Sequence, residues 1–155
     1  MNNNDQSREF GEEVLKWMTA QACQDVVLRF MGLFDMRAWA EMKQHVTPDL
    51  EWQRPDLTIR GVAHLLETLS ATPNNVRVRH VITNLRTTFN SSGRSVVDSY
   101  FTVYRLGGTT AEIGTPVLLD GPVSVGRYRD ELVLIDGSWR IASKITTIDF
   151  RRNLA

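Results

Sequence analysis

The sequence predicts an α+β domain in which helices come first and a curved sheet of long antiparallel strands follows. Three observations carry this reading. Apolar residues recur at helical spacing from Phe10 to Leu69, the apolar period shortens from about 3.6 to 2 after Asn75, and Asp136-Gly137 separates two alternating runs. Asp-Gly readily takes the positive φ values of a two-residue hairpin turn.

From Phe10 to Phe34 the apolar residues Phe10, Val14, Trp17, Met18, Cys23, Val26, Val27, Phe30, Met31 and Phe34 predict one or two helices, with Glu12 and Lys16 four apart on the opposite face. A short helix carrying Trp39, Met42 and Val46 follows, and Asp35 is a plausible N-cap before it. Thr47-Pro48-Asp49 ends that helix, because proline lacks the amide a helix interior uses. Leu50–Gln53 reads as a first short strand, and Gly61 opens an amphipathic helix with Val62, Leu65, Leu66 and Leu69 on one stripe. The long strands are then Val76–Phe89, Ser95–Leu106, roughly Val123–Ile135 and Ser138–Phe150, with a Gly/Thr/Pro-rich loop over 107–122.

The 155 residues, 42% of them apolar, fit a single domain over 10–155 preceded by a polar segment, 1–9. Eighteen Lys+Arg balance eighteen Asp+Glu, which leaves no basic excess to neutralise phosphates, so nucleic acid is not an expected partner. Apolar runs such as Val117–Leu119 and Leu132–Ile135 are far shorter than the roughly 20 residues that span a bilayer. No membrane partner is expected, and without a secretory pattern at Met1–Ser7 the expected location is cytoplasmic. The lone Cys23 sits in a helical apolar pattern and reads as core. No metal site, phosphate loop or serine-hydrolase elbow is visible.

Of the three histidines, His45 lies at a helix end and His64 beside Leu65 and Leu66, and both read as structural. His80 differs, since strand alternation sets it on the face of Val76, Val78, Ile82 and Asn84, towards the interior. It is either a core histidine bonded to backbone or a general base. Asp35 follows the apolar face ending in Met31 and Phe34; it is either a helix cap or the carboxylate that orients such a base. Asp98 and Tyr100 share a strand face with Thr102 and Tyr104, which lines a pocket or is the solvated side of the sheet. Tyr128 shares a face with Ser124, Gly126 and Asp130, and parity alone leaves its direction open.

The helices followed by a meander ending Asp136-Gly137-Ser138-Trp139-Arg140-Ile141, together with Leu33-Phe34-Asp35 before Trp39 and the run Arg79–Arg86, resemble the nuclear transport factor 2-like superfamily and its SnoaL-like branch. The resemblance implies a cone-shaped, cystatin-like roll of N-terminal helices on a curved antiparallel sheet. Within it the chain is most similar to the scytalone dehydratase and hexachlorocyclohexane dehydrochlorinase group, in which an aspartate ending a helix and a histidine opening a strand form the catalytic pair. Asp35 and His80 match those positions. The resemblance implies a cofactor-independent lyase or isomerase, dehydratase-like, that acts on a small hydrophobic cyclic molecule. Trp52, Asn84, Asp98, Tyr100 and Tyr128 are its expected ligand contacts, with no metal and no cofactor. The chain departs from scytalone dehydratase in offering Tyr100, Thr102 and Tyr104 where that enzyme has a second histidine. It also has no arginine at Leu132–Ile135, where the dehydrochlorinase has one. Arg77-x-Arg79-His80-x-x-x-Asn84 equally resembles the β subunits of ring-hydroxylating dioxygenases, which implies the alternative of a non-catalytic subunit or ligand-binding module. A homo-oligomer, dimer or trimer, is expected.

Overall fold

In the computed structural model the described residues are 3–90, 92–108, 110–111 and 115–152. Helix α1 (Asn3–Asp35) leads through the four-residue α2 (Trp39–Met42) and a 3₁₀ turn (Lys43–His45) to β1 (Val46–Gln53) and β2 (Thr58–Arg60). Then come α3 (Gly61–Ser70), β3 (Arg77–Phe89), β4 (Ser95–Leu106), β5 (Ser124–Ile135) and β6 (Ser138–Arg151). The polar segment expected to precede the first helix is itself helical from Asn3. Ser7, Arg8, Glu9 and their neighbours are adequate helix formers, and α1 simply continues through them.

The six strands form one sheet in the order β2-β1-β6-β5-β4-β3. It is mixed where an antiparallel sheet was expected, because β1 lies parallel to β6 while every other pair is antiparallel. A strand brought beside β6 from far away in sequence is not bound by hairpin geometry, so its direction is set by the intervening chain. Three residues of β2 were too few to show an alternation. The β5–β6 hairpin turns at Asp136 and Gly137, both at positive φ, as Asp-Gly predicts.

The helices cover one face of the curved sheet. Cys23, Val27, Phe30 and Met31 of α1 and Leu65 and Leu69 of α3 are buried against Leu50, Trp52, Phe101, Leu132 and Ile141. On β4 the alternation assigns Val97, Ser99 and Phe101 to this inner face and Tyr100 to the outer one. Gly126 of β5 leaves room for the crossing: a Cβ there would overlap the Thr147 carbonyl and come within 2.8 Å of the Phe101 ring. A bulge interrupts the β3–β4 pairing between Thr83 and Arg86, with Asn84 at φ 55°. An extra residue inverts the facing of everything beyond it, so His80 and Ile82 lie partly buried on one side of the bulge and Leu85 and Thr87 on the other.

Candidate active site

The site begins with how α1 ends. Arg37 adopts φ 60°, the left-handed conformation that terminates helices, and Ala38 N–H bonds to Leu33 O (3.0 Å) while Arg37 N–H bonds to Phe34 O (3.1 Å). This double bond pattern is the Schellman stop, usually built on glycine. A non-glycine residue there is strained, and the Arg37 side chain offsets the strain by gripping the α3–β3 loop through Thr72 O, Pro73 O and Asn74 Oδ1. Asp35 is thereby the last residue of α1. It does not cap α2, whose N-cap is Ala38 with no side-chain bond.

Facing it is the edge strand β3. The Asp35 carboxylate spans two groups of one residue, with Oδ1 2.6 Å from His80 Nδ1 and Oδ2 accepting the His80 backbone N–H at 2.7 Å. The edge strand has an unpaired amide to offer, and the carboxylate satisfies it. Arg79 Nη1 donates to the Asp35 carbonyl at 3.1 Å, which ties the helix end to the strand a second time. The side chains of His80 and Asp35 are nearly buried. Because an ionised carboxylate only accepts, it selects the tautomer with hydrogen on Nδ1, leaving the Nε2 lone pair available. Nε2 makes no hydrogen bond to any described residue. Phe34 meets the imidazole edge-on at 5.0 Å.

Phe34 also packs edge-on against Trp52, centroids 6.4 Å apart, and the Trp52 Nε1–H bonds to Thr146 Oγ1 at 2.8 Å. Beyond Trp52 lies a group that sequence patterns did not reveal. Lys144 Nζ is 3.0 Å from both oxygens of Asp130, both side chains are wholly buried, and the ammonium sits 3.6 Å above the Tyr128 ring. Tyr128 is 3% exposed and stacks on Phe101 at 4.3 Å. Burial, and after it the nearby Asp130 charge, push the Tyr128 phenol far above its ordinary value, so it stays a protonated donor at any working pH. Burial pushes Asp130 up and Lys144 down, and each opposes the other's shift through their ion pair. A lysine on a strand reads as solvent-facing; the only signal was that Asp130 shares the face of Tyr128.

Three expected contacts lie elsewhere. Asn84 occupies the β3 bulge and is exposed, because the bulge takes it out of the alternation that would have set it beside His80. Tyr100 is 50% exposed on the outer face, and Asp98 on that face pairs with Arg129 at 3.0 Å. At Asp98 and Tyr100 their strand face is the solvated one of the two alternatives, while Tyr104 of the same face lines a cavity.

A cavity of about 360 Å³ is lined by Asp35 but not by His80, with Phe34, Arg37, Trp39, Val78 and Arg79 among its other walls. A second, of about 310 Å³, shares Val78 and Arg79 and runs beneath Tyr104 and Leu119. Among the described residues no three His, Cys, Asp or Glu side chains converge as a metal would require, and no helix is long and apolar enough to cross a membrane.

None of the curated proteins compared with the chain matches it. Among solved structures, a candidate scytalone dehydratase from Novosphingobium aromaticivorans superposes with a TM-score of 0.75 at 18% identity, covering 90% of each chain. A type 2 hexachlorocyclohexane dehydrochlorinase (LinA) gives 0.68 at 20% identity, over 92% of this chain and 93% of that one. ActVI-ORFA from Streptomyces coelicolor gives 0.67 at 21%, over 81% and 93%. At these identities the likeness is one of fold. The model of the SnoaL-like domain matches residues 19–144, most of the chain, and the protein therefore belongs to the SnoaL-like domain family.

Proposed function

We propose that the protein is a cofactor-independent lyase or isomerase, dehydratase-like, that moves a proton on a small hydrophobic cyclic molecule. The observation that carries this reading is the contact between Asp35 and His80: a nearly buried carboxylate on Nδ1, with Nε2 left unbonded among the described residues. In this arrangement His80 Nε2 takes a proton from a carbon beside a carbonyl or leaving group. Asp35 holds the ring in the productive tautomer and stabilises the imidazolium that forms. Tyr128, kept protonated by burial, donates to the oxygen on which charge develops. The electron pair released from the C–H bond then either expels a β-hydroxyl, with the proton returned to it as water, or is reprotonated at another carbon. Phe34, which lines the larger cavity and meets the His80 imidazole edge-on, gives the ring of such a substrate an apolar wall.

The test is turnover of a panel of cyclic β-hydroxy ketones and enones by the isolated protein. His80→Gln is expected to lower the rate by about 10²–10⁴-fold, the usual share of a general base, with little change in stability. Unaltered turnover in His80→Gln rejects the reading. Turnover that falls only in parallel with the folded fraction rejects it as well.

A further inference from the structure

The first four turns of α1 have no counterpart in the SnoaL-like match, which begins at residue 19. Residues 5–18 are exposed throughout, and burial in α1 starts at Cys23. Yet this stretch carries Phe10, Val14, Trp17 and Met18 at i, i+4, i+7 and i+8, which at 100° per residue form one stripe. Phe10 is 68% exposed, Trp17 65% and Met18 57%. The stripe does not continue the core face: Cys23, Val27, Phe30 and Phe34 lie well over a quarter-turn round the same helix. Arg8, Glu9, Glu12 and Lys16 lie opposite it, and an exposed Arg8–Glu12 pair joins two of them.

Residues 5–18 propagate from the packed half of α1 and need no partner to be helical, but a contiguous exposed apolar stripe marks an interaction surface. Its charge argues against lipid. Asp5, Glu9, Glu12 and Glu13 outnumber Arg8 and Lys16, whereas helices that lie on membranes are rich in Lys and Arg. Its shape fits itself. A two-fold antiparallel pairing centred on Val14 sets Phe10 against Met18 of the second copy and Trp17 against Gly11 of the second copy. Gly11 weakens a helix by about 1 kcal/mol relative to Ala, and a Cβ there would meet nothing within its own chain, so the fold of one copy does not explain it. The indole of a second copy would lie in that gap. The exposed parts of these side chains amount to on the order of 500 Å² per copy, or about 1,000 Å² across the pair, which reaches the lower range of specific interfaces.

We propose that residues 5–18 of α1 are a dimerisation element whose occupant is the same stripe of a second copy, packed antiparallel. Sedimentation equilibrium of the full chain over nanomolar to tens of micromolar concentrations tests it. The wild type should assemble to twice 17.6 kDa. Trp17→Glu should raise the dissociation constant by about 100-fold or more, as loss of a central tryptophan does. Gly11→Leu should weaken association although it strengthens the helix, and Lys16→Gln, opposite the stripe, should leave it unchanged. Near-UV circular dichroism checks that each variant is folded. A wild type that stays at 17.6 kDa overturns the proposal, and if it then floats with phosphatidylcholine vesicles the stripe belongs to lipid instead. Assembly that survives Trp17→Glu, or that is tightened by Gly11→Leu, also overturns it. None of these outcomes depends on turnover, so they stand apart from the fate of the catalytic reading.

Discussion

Replacing Asp130 by Asn would leave the Lys144 ammonium wholly buried with no anion to meet it. In the structure Nζ makes two 3.0 Å bonds to that carboxylate, and its remaining close neighbour is the face of Tyr128. Breaking one side of such a pair costs about 3–5 kcal/mol, because the survivor keeps its full desolvation penalty. At about 2–4 °C per kcal/mol for a chain of this size, the melting temperature should fall by roughly 6–20 °C. Asp130→Leu with Lys144→Met removes both charges and should restore most of the loss, since an apolar replacement of a buried pair is often neutral. Lys144→Met alone adds a pH signature. Burial already raises Asp130, and Lys144 is the group that opposes the rise. Without it the folded value climbs further above the unfolded value of about 3.9. A group raised on folding contributes stability that is complete below its unfolded value and is lost as pH rises through the folded one. The deficit of Lys144→Met should therefore be larger at alkaline pH than at pH about 4. Urea unfolding of the four proteins across pH measures all of this. A loss under 1 kcal/mol in Asp130→Asn, or a double variant no better than the singles, would refute the reasoning.

Gly126→Ala should destabilise the fold by about 3 kcal/mol or block its expression in folded form, because the new methyl meets the Thr147 backbone rather than a movable side chain; thermal melts decide. His45 is held below its ordinary value by burial and by Arg29. Its share of stability is thus present above pH about 6.5 and lost as pH falls through the folded value, so His45→Gln should show a shallower acid decline. Tyr128→Phe should lower turnover, whereas Tyr100→Phe, on the outer face, should leave it unchanged; rates on a common substrate separate the two tyrosines.

The change of period after Asn75 was enough to separate α3 from the four long strands β3–β6, since burial of one face imposes its period directly on the chain, whereas β1 and β2 lie before it. The Asp-Gly turn was legible for a similar reason, as its backbone conformation belongs to two adjacent residues. Asp35 and His80 stand 45 positions apart; spacing alone left each with a structural alternative, and the family resemblance joined them. Three features escaped because they are set by tertiary context. Nothing local marks Asn84 as the bulge that inverts β3, and an arginine in the left-handed stop at position 37 has none of the glycine signal that normally flags a helix end. Lys144 was hidden by its type, because a lysine is buried only where a carboxylate such as Asp130 happens to face it.

The proposed chemistry requires Asp35 to fix His80 with its proton on Nδ1 and its lone pair on Nε2. Two-bond ¹H–¹⁵N spectra at alkaline pH read the tautomer of each imidazole, and a His80→Gln sample assigns the signals. A protonated Nδ1 and an unprotonated, pyridine-like Nε2 are expected for His80, with the tautomers mixing or exchanging in Asp35→Asn. A wild-type His80 protonated at Nε2, or one whose tautomer is unaffected by Asp35→Asn, would contradict that chemistry.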